Sequence, residues 1–270
     1  MDDGCKRRPG GLRVFGAPAC APAPAWVSIA AALAVVGALL TGCRSAEIFW
    51  CKPGQEISLF DGRTLGQWKV TDFGRQGDVC VKDQAIYLET GNSLTGITWA
   101  GPVVRMSYEI TLEAMRVRGN DFFCGLTFPV ADSSCTLVLG GWGGSICGLS
   151  SIDHCDAAEN ETTKVIGFDN GRWYRVRLRV VPGRIQAWLD EQSLVDIDVT
   201  GRRIDIRWEV DLSRPLGIAT FSTTGAIRNI YLKRLPEQTP QPSGQRRSSS
   251  RSNSSWADSP TTRTCLTGLV

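Results

Sequence analysis

Glu109 and Glu113 are the first side chains in this sequence whose types and spacing could do chemistry. They stand at i and i+4 of Ser107–Met115. There Tyr108, Ile110, Leu112 and Ala114 alternate with polar neighbours, as in a strand with one buried face. Both carboxylates therefore share the wet face, about 13 Å apart along the backbone before side-chain reach and twist. Carboxyl pairs cleave glycosidic bonds at separations of about 5–5.5 Å or about 6.5–9.5 Å, so Glu109 and Glu113 are candidate catalytic acids only if their tips converge. Two exposed glutamates on a strand are the plainer reading. A second set lies in Asp153-His154-Cys155-Asp156-Ala157-Ala158-Glu159-Asn160-Glu161. It holds the only histidine, a candidate proton carrier at His154. Its oxygens suit calcium, although the spacing matches no EF-hand. Asn120 and Asp121, in a turn at Arg118–Asp121, are candidate polar contacts to a substrate. Trp142, inside Gly140-Gly141-Trp142-Gly143-Gly144, and Trp188 are candidate flat platforms for the C–H faces of a sugar. Trp68 and Trp173 each cap an apolar run and are expected in the core.

The elements that must position these residues are strands. The clearest pattern is Arg172–Val199, where Tyr174, Val176, Leu178 and Val180 alternate with Trp173, Arg175, Arg177 and Arg179. After Pro182-Gly183, Ile185, Ala187 and Leu189 resume the apolar face. After a turn at Glu191-Gln192, Val195, Ile197 and Val199 follow. Three short strands with tight turns make an antiparallel meander, apolar on one side and charged on the other. Its arginines and aspartates share the polar side, where cross-strand ion pairs are expected. A half-wet meander needs a second sheet over its apolar face, which predicts a β-sandwich. Phe122–Phe128 is apolar nearly throughout, as in a strand covered on both faces. Thr136–Leu139, Ile146–Ser150, Leu216–Phe221 and Ala226–Leu232 supply further strands, and Ser151–Lys164 is a polar loop long enough to be functional.

The ends differ from this body. Lys6, Arg7, Arg8 and Arg13 precede an apolar run from Trp26 to Leu40, closed by Leu40-Thr41-Gly42-Cys43, the pattern of a secretory signal peptide. From Pro236 onward Pro, Ser, Arg, Thr and Gln predominate, with no apolar period to bury, so residues 236–270 read as a disordered tail. The net charge of +3 gives no reason to expect a nucleic-acid partner. Of ten cysteines, Cys5 and Cys20 precede Cys43 in the leader, leaving seven. Cys124–Cys135 and Cys147–Cys155 could close short disulfide loops, buried free thiols are the alternative, and an odd number leaves at least one thiol unpaired. No CxxC or His-rich spacing suggests a structural zinc site.

Three resemblances extend this reading. The Leu-Thr-Gly-Cys ending resembles the bacterial lipobox, which implies that Cys43 is lipidated and that the protein is anchored to a membrane in the cell envelope, periplasm-facing or in the outer membrane, the latter favoured by Arg44 in the next position. The stretch Ser58-Leu59-Phe60-Asp61-Gly62-Arg63-Thr64-Leu65-Gly66-Gln67-Trp68 resembles the opening of the 3-keto-disaccharide hydrolase domain family. Val79–Leu88, Met106–Phe128 and Gly171-Arg172-Trp173-Tyr174 continue the likeness. It implies an all-β, concanavalin-like jelly roll of two antiparallel sheets over residues 56–235, behind a signal peptide at 1–43 and a linker at 44–55. It also implies an activity on glycosides, namely 3-keto-glycoside cleavage, with a glycan or glycoside as partner. The Glu109/Glu113 spacing also resembles the Glu-x-Asp-x-Glu strand of jelly-roll β-glucanases, with Thr111 in place of the central acid. The family's acidic strand becomes Cys135-Thr136-Leu137-Val138-Leu139, without an acid, and its Asn-Ser-Gly element keeps only Asn120. A non-catalytic carbohydrate- or surface-binding protein on the same scaffold is therefore the alternative. The site expected on either reading is a groove on a concave sheet bearing Glu109 and Glu113, flanked by Trp142 and His154.

Overall fold

In Tyr108–Arg118 the residues at even positions are buried through Ala114 while those at odd positions are half-exposed, so one row faces a core and the other faces out. The computed structural model describes residues 51–236. The expected signal peptide, the lipobox Cys43 and the tail beyond Pro236 lie outside the described residues. The strands are β1 (Glu56–Ser58), β2 (Trp68–Val70), β3 (Val79–Lys82), β4 (Ala85–Leu88), β5 (Leu94–Trp99), β6 (Tyr108–Arg118), β7 (Cys124–Val130) and β8 (Ser133–Gly141). They continue as β9 (Ile146–Ser150), β10 (Lys164–Val165), β11 (Trp173–Val181), β12 (Arg184–Leu189), β13 (Gln192–Asp198), β14 (Gly217–Phe221) and β15 (Thr224–Arg234), with a 3-10 helix at Trp208–Ser213. The first sheet runs β13-β12-β11-β6-β15-β4-β3, with β1 also paired to β15; the second runs β10-β9-β8-β7-β14-β5-β2. All pairings between these strands are antiparallel, and two apposed sheets of this kind form the expected jelly-roll sandwich.

Between the sheets lie Ile110, Leu112, Val176, Leu178 and Val180 from the first and Leu126, Phe128, Leu137, Leu139 and Ile218 from the second. Polar tips that enter this layer are paired. The Trp68 indole N–H donates to the Leu59 carbonyl at 2.9 Å, and the Tyr108 hydroxyl to the Pro129 carbonyl at 2.6 Å. The meander forms as read, except that its second turn sits at Asp190-Glu191, one residue early. A bulge between Ala187 and Trp188 absorbs the offset. Trp68 is in the core, but Trp173 is not: it lies half-buried on the outer face of β11, with the Arg228 guanidinium 4.0 Å from its ring centre. Cross-strand ion pairs do occupy the charged side. Arg184 meets Asp196 at 2.6 Å, whereas Arg177 and Arg179 reach Glu109 on β6 rather than any aspartate.

The second sheet is buried on both faces along β7, β8 and β9. Its outer face is roofed by the chain itself, in two segments, 151–163 and 202–214. Ile206 and Val210 pack there on Leu94 and Ala219, with Phe73 and Phe122 alongside. At Gly217 the roof comes so close that a β-carbon would stand 2.6 Å from the Ser213 carbonyl oxygen, so glycine is required.

Of the two alternatives left open for the cysteines, Cys124, Cys135 and Cys147 follow the second, as free and buried thiols, so neither short loop is closed; Cys155 is disulfide-bonded. Burial pushes the thiols of Cys124 and Cys135 up to about 12 and that of Cys147 to about 11. Thiolate is the reactive form. In the folded protein a maleimide should therefore modify the exposed Cys80 and spare these three, as read by peptide mass mapping. Modification of Cys135 at the rate of Cys80 would mean that the core opens readily.

Candidate functional site

The sequence motifs do not converge. Glu109 and Glu113 lie on the outer face of the first sheet, and each is occupied. Arg179 donates from Nε to Glu109 at 3.0 Å, with Arg177 at 3.7 Å, and Arg228 donates to Glu113 at 2.8 Å. Register explains this, since Arg179 pairs with Glu109 across β11–β6 and Arg228 with Glu113 across β15–β6. Trp188 is on the same face, with the Arg177 guanidinium 3.8 Å from its ring centre, so it is no open platform. Among the described residues, Glu109, Glu113 and Trp188 are thus not gathered with Trp142 and His154 in the expected groove but paired on this face. Its glutamates neutralise arginines, and its tryptophans stack under them.

A cavity that does gather two of the candidate residues lies across the sandwich, on the outer face of the second sheet. Asp121 and Phe122 before β7, Trp142 in the β8–β9 turn, Ser93 and Leu94 at the start of β5, and Phe221 at the end of β14 form its rim. Thr136, Val138 and Ser150 form its floor, and Arg207, Glu209 and Val210 its roof, around about 260 Å³. Trp142 is 44% exposed. Phe122 and Phe221 stack at 5.9 Å. The Ser150 side chain is buried, and its hydroxyl has no hydrogen-bond partner among the described residues. Of the residues singled out in the sequence, Asp121 and Trp142 are brought together here. Asn120 is exposed beside the rim without lining it, and His154 lies past Ser150 on an exposed turn, also outside it.

Three local features hold this arrangement. Asp121 accepts from the Phe122 N–H at 2.7 Å with one carboxylate oxygen and from the Gly143 N–H at 3.1 Å with the other, tying the β6–β7 turn to the β8–β9 turn. Behind them Arg116, 8% exposed, continues the inward row of β6 where an apolar residue would fit. Its guanidinium donates to Asn170 Oδ1 at 2.7 Å, to the Gly144 carbonyl at 3.3 Å and to the Phe168 carbonyl. Gly144 permits this approach, since a β-carbon there would lie 2.5 Å from the Asn120 carbonyl oxygen and 3.0 Å from Arg116. Arginines fasten the roof. Arg202 binds Asp153 and Glu161, Arg207 binds Asp156 and Glu209 at 2.6 Å each, and Arg214 binds Asp205 at 2.6 Å. Of the acids in the 153–161 loop, whose oxygens suit calcium, Asp153, Asp156 and Glu161 are engaged in this way, and among the described residues no three His, Cys, Asp or Glu side chains are grouped to hold a metal. Sequence reasoning missed Arg116, Ser150 and the roof. Only Arg116 left a signal, as a charge on the buried parity of a strand.

Two sheets closed over one core, with an aromatic-rimmed, polar-lined pocket at one end of an outer face, define a jelly-roll sandwich. The chain belongs to the 3-keto-alpha-glucoside-1,2-lyase-like domain family, whose profile matches residues 55–233. Solved structures with a similar fold include a putative glycosyl hydrolase from Parabacteroides distasonis ATCC 8503. It is 16% identical, with 67% of this chain and 94% of that one covered and a TM-score of 0.43. The carbohydrate-binding module CBM66 from Bacillus subtilis is 11% identical, over 62% and 95% of the two chains, with a TM-score of 0.42. Crh5 transglycosylase in complex with NAG is 9% identical, over 70% and 89%, with a TM-score of 0.47. No curated protein matches the chain.

The roof ion pairs give a prediction. The Arg203 N–H and the Arg202 hydrogen bond hold Asp153 below its ordinary 3.8, and the Arg202 hydrogen bond holds Glu161 below 4.5. The Ile206 N–H, then Arg214, lower Asp205; burial pushes Glu209 up, but Arg207 outweighs it. Carboxyls depressed in the folded state stabilise it fully above their unfolded values and cease to do so as pH falls through the folded ones. As pH falls below 4.5, amides of 151–163 and 202–214 should lose hydrogen-exchange protection before those of β6. Simultaneous loss in β6 would show that the roof is not separately fastened.

Proposed function

We propose that this protein binds a glycoside in the Trp142 pocket and that 3-keto-glycosides are its substrates. The observation that carries the reading is the pocket lining: an exposed indole face, the Asp121 carboxylate and an unpartnered, buried Ser150 hydroxyl around one cavity. A sugar ring stacks its C–H face on the indole, and its oxygens meet Asp121, Ser150 and Thr136. At about 260 Å³ the cavity falls just under the ~300 Å³ where pockets for drug-sized ligands begin. That size suits one ring.

A carbonyl at C3 of a bound sugar acidifies the C2–H bond. Asp121 takes that proton, and the C2 electron pair is held on the C3 oxygen, toward which the Ser150 hydroxyl donates. The pair then forms the C1–C2 double bond as the glycosidic C1–O bond breaks. The departing oxygen takes back the proton, so Asp121 ends as it began. Family membership supports this elimination. The state of the carboxylates favours a second reading, non-catalytic binding. Asp121 accepts two backbone N–H groups and Glu209 is paired with Arg207.

The two readings separate by titration and turnover with 3-keto-α-glucosides. Trp142→Ala should weaken binding about tenfold and leave the thermal midpoint within a degree or two. Asp121→Asn should cut kcat roughly 100-fold or more with affinity little changed. Binding without turnover in the unaltered protein would establish the second reading. No binding of any glycoside would end both.

Export and a lipid anchor at Cys43 belong to the same proposal, supported by the basic leader, the apolar run and the Leu-Thr-Gly-Cys ending. Cys43→Ser should move the protein from the membrane to the soluble fraction, as followed by fractionation; unchanged membrane association would count against the anchor.

A further inference from the structure

The six tryptophans among the described residues sort by what covers their rings. Trp68 and Trp99 pack edge-to-face at 5.1 Å in the core, and Trp173 and Trp188 lie under Arg228 and Arg177. Only Trp142 and Trp208 lack a ring or cation partner. Trp142 is on the pocket rim. Trp208, 82% exposed, stands between Arg207 and Glu209, both of which line the same pocket, as does Val210.

The local backbone explains this exposure. In the 3-10 segment Trp208–Ser213 three residues make a turn, so Val210 and Ser213 face the sheet and are buried. Trp208 then projects from a neighbouring ridge into solvent, beside the one bearing Glu209. Folding gains little from an indole placed there. A flat apolar face held next to a cavity for one ring has its use in what emerges from that cavity.

We infer that Trp208 forms a second subsite, which stacks the unit across the glycosidic bond from the sugar in the Trp142 pocket. This rests on the proposed glycoside site and extends it, because the protein then reads two units of a glycoside rather than one. The chemistry it selects is a flat apolar face on the leaving unit, whether a second sugar or an aromatic aglycone.

The test uses the whole protein and three probes: methyl α-glucoside, which has no second unit, maltose, which has a sugar there, and phenyl α-glucoside, which has an aromatic ring. Calorimetric titration should show maltose or phenyl α-glucoside, or both, binding about fivefold more tightly than methyl α-glucoside. Trp208→Ala should erase that preference while the methyl glucoside affinity changes less than twofold. Trp142→Ala should weaken all three. Whichever of maltose and phenyl α-glucoside loses more on Trp208→Ala identifies the leaving unit. The second subsite is overturned if the unaltered protein shows no preference, or if Trp208→Ala keeps it. In either case methyl α-glucoside binding leaves the pocket itself standing. If none of the probes binds, and the 3-keto-glucosides do not either, pocket and subsite fall together.

Discussion

A buried guanidinium with no carboxylate beside it sets the working end of this fold. Arg116 occupies an inward position of the central strand of the first sheet, yet its donors are spent on two backbone carbonyls and one amide oxygen, from three residues in two segments. Removing the side chain would leave the Gly144 and Phe168 carbonyls unpaired in a place that water reaches poorly, at a cost of roughly 1–3 kcal/mol each. Such a centre can exist only if the β8–β9 turn and the 168–170 segment stay where they are. The aromatic rim follows from that requirement, because Trp142 rides on the turn that Arg116 holds.

The two sheets divide the labour. The first exposes a charged face whose acids and bases satisfy one another in register, so its ionic side chains have little left for a ligand. The second covers its outer face with its own chain and leaves a gap where the cover ends. Small residues on that face, Gly217 and Ala219 among them, let the cover lie close, and arginines pin it. The pocket is what remains between that roof and a rim gathered from four separate parts of the chain.

That division explains what could be read in advance. Alternation in Ser107–Met115 and Arg172–Val199 reports a strand and its inward row, and those strands form. Alternation cannot say which sheet bears a cavity, so Glu109 and Glu113 looked as available as any outward acids. β7 reads as continuous core because both of its faces are covered, which conceals that one cover is the roof of a pocket. Segment 202–214 has no period, and its role emerges only when its arginines meet acids some fifty residues away, such as Asp156. Asp121 and Trp142 were found for a simpler reason: turn residues with unusual chemistry between strands need few alternatives. Arg116 broke the parity of its own strand, which was the one legible trace of the site's support.

The pairing of β1 with β15 has a consequence of its own. Glu56 lies opposite Lys233, and the Gly54 N–H donates to the Arg234 carbonyl at 2.7 Å, so chain entry and exit are neighbours. β15 begins beside Phe221 and the rim and runs the length of the sandwich before reaching that exit. Both termini of the domain therefore emerge at the end remote from Trp142. A bead or sensor chip coupled through either one would display the mouth of the cavity outward, and joining the two ends to open the chain elsewhere would need only a short splice.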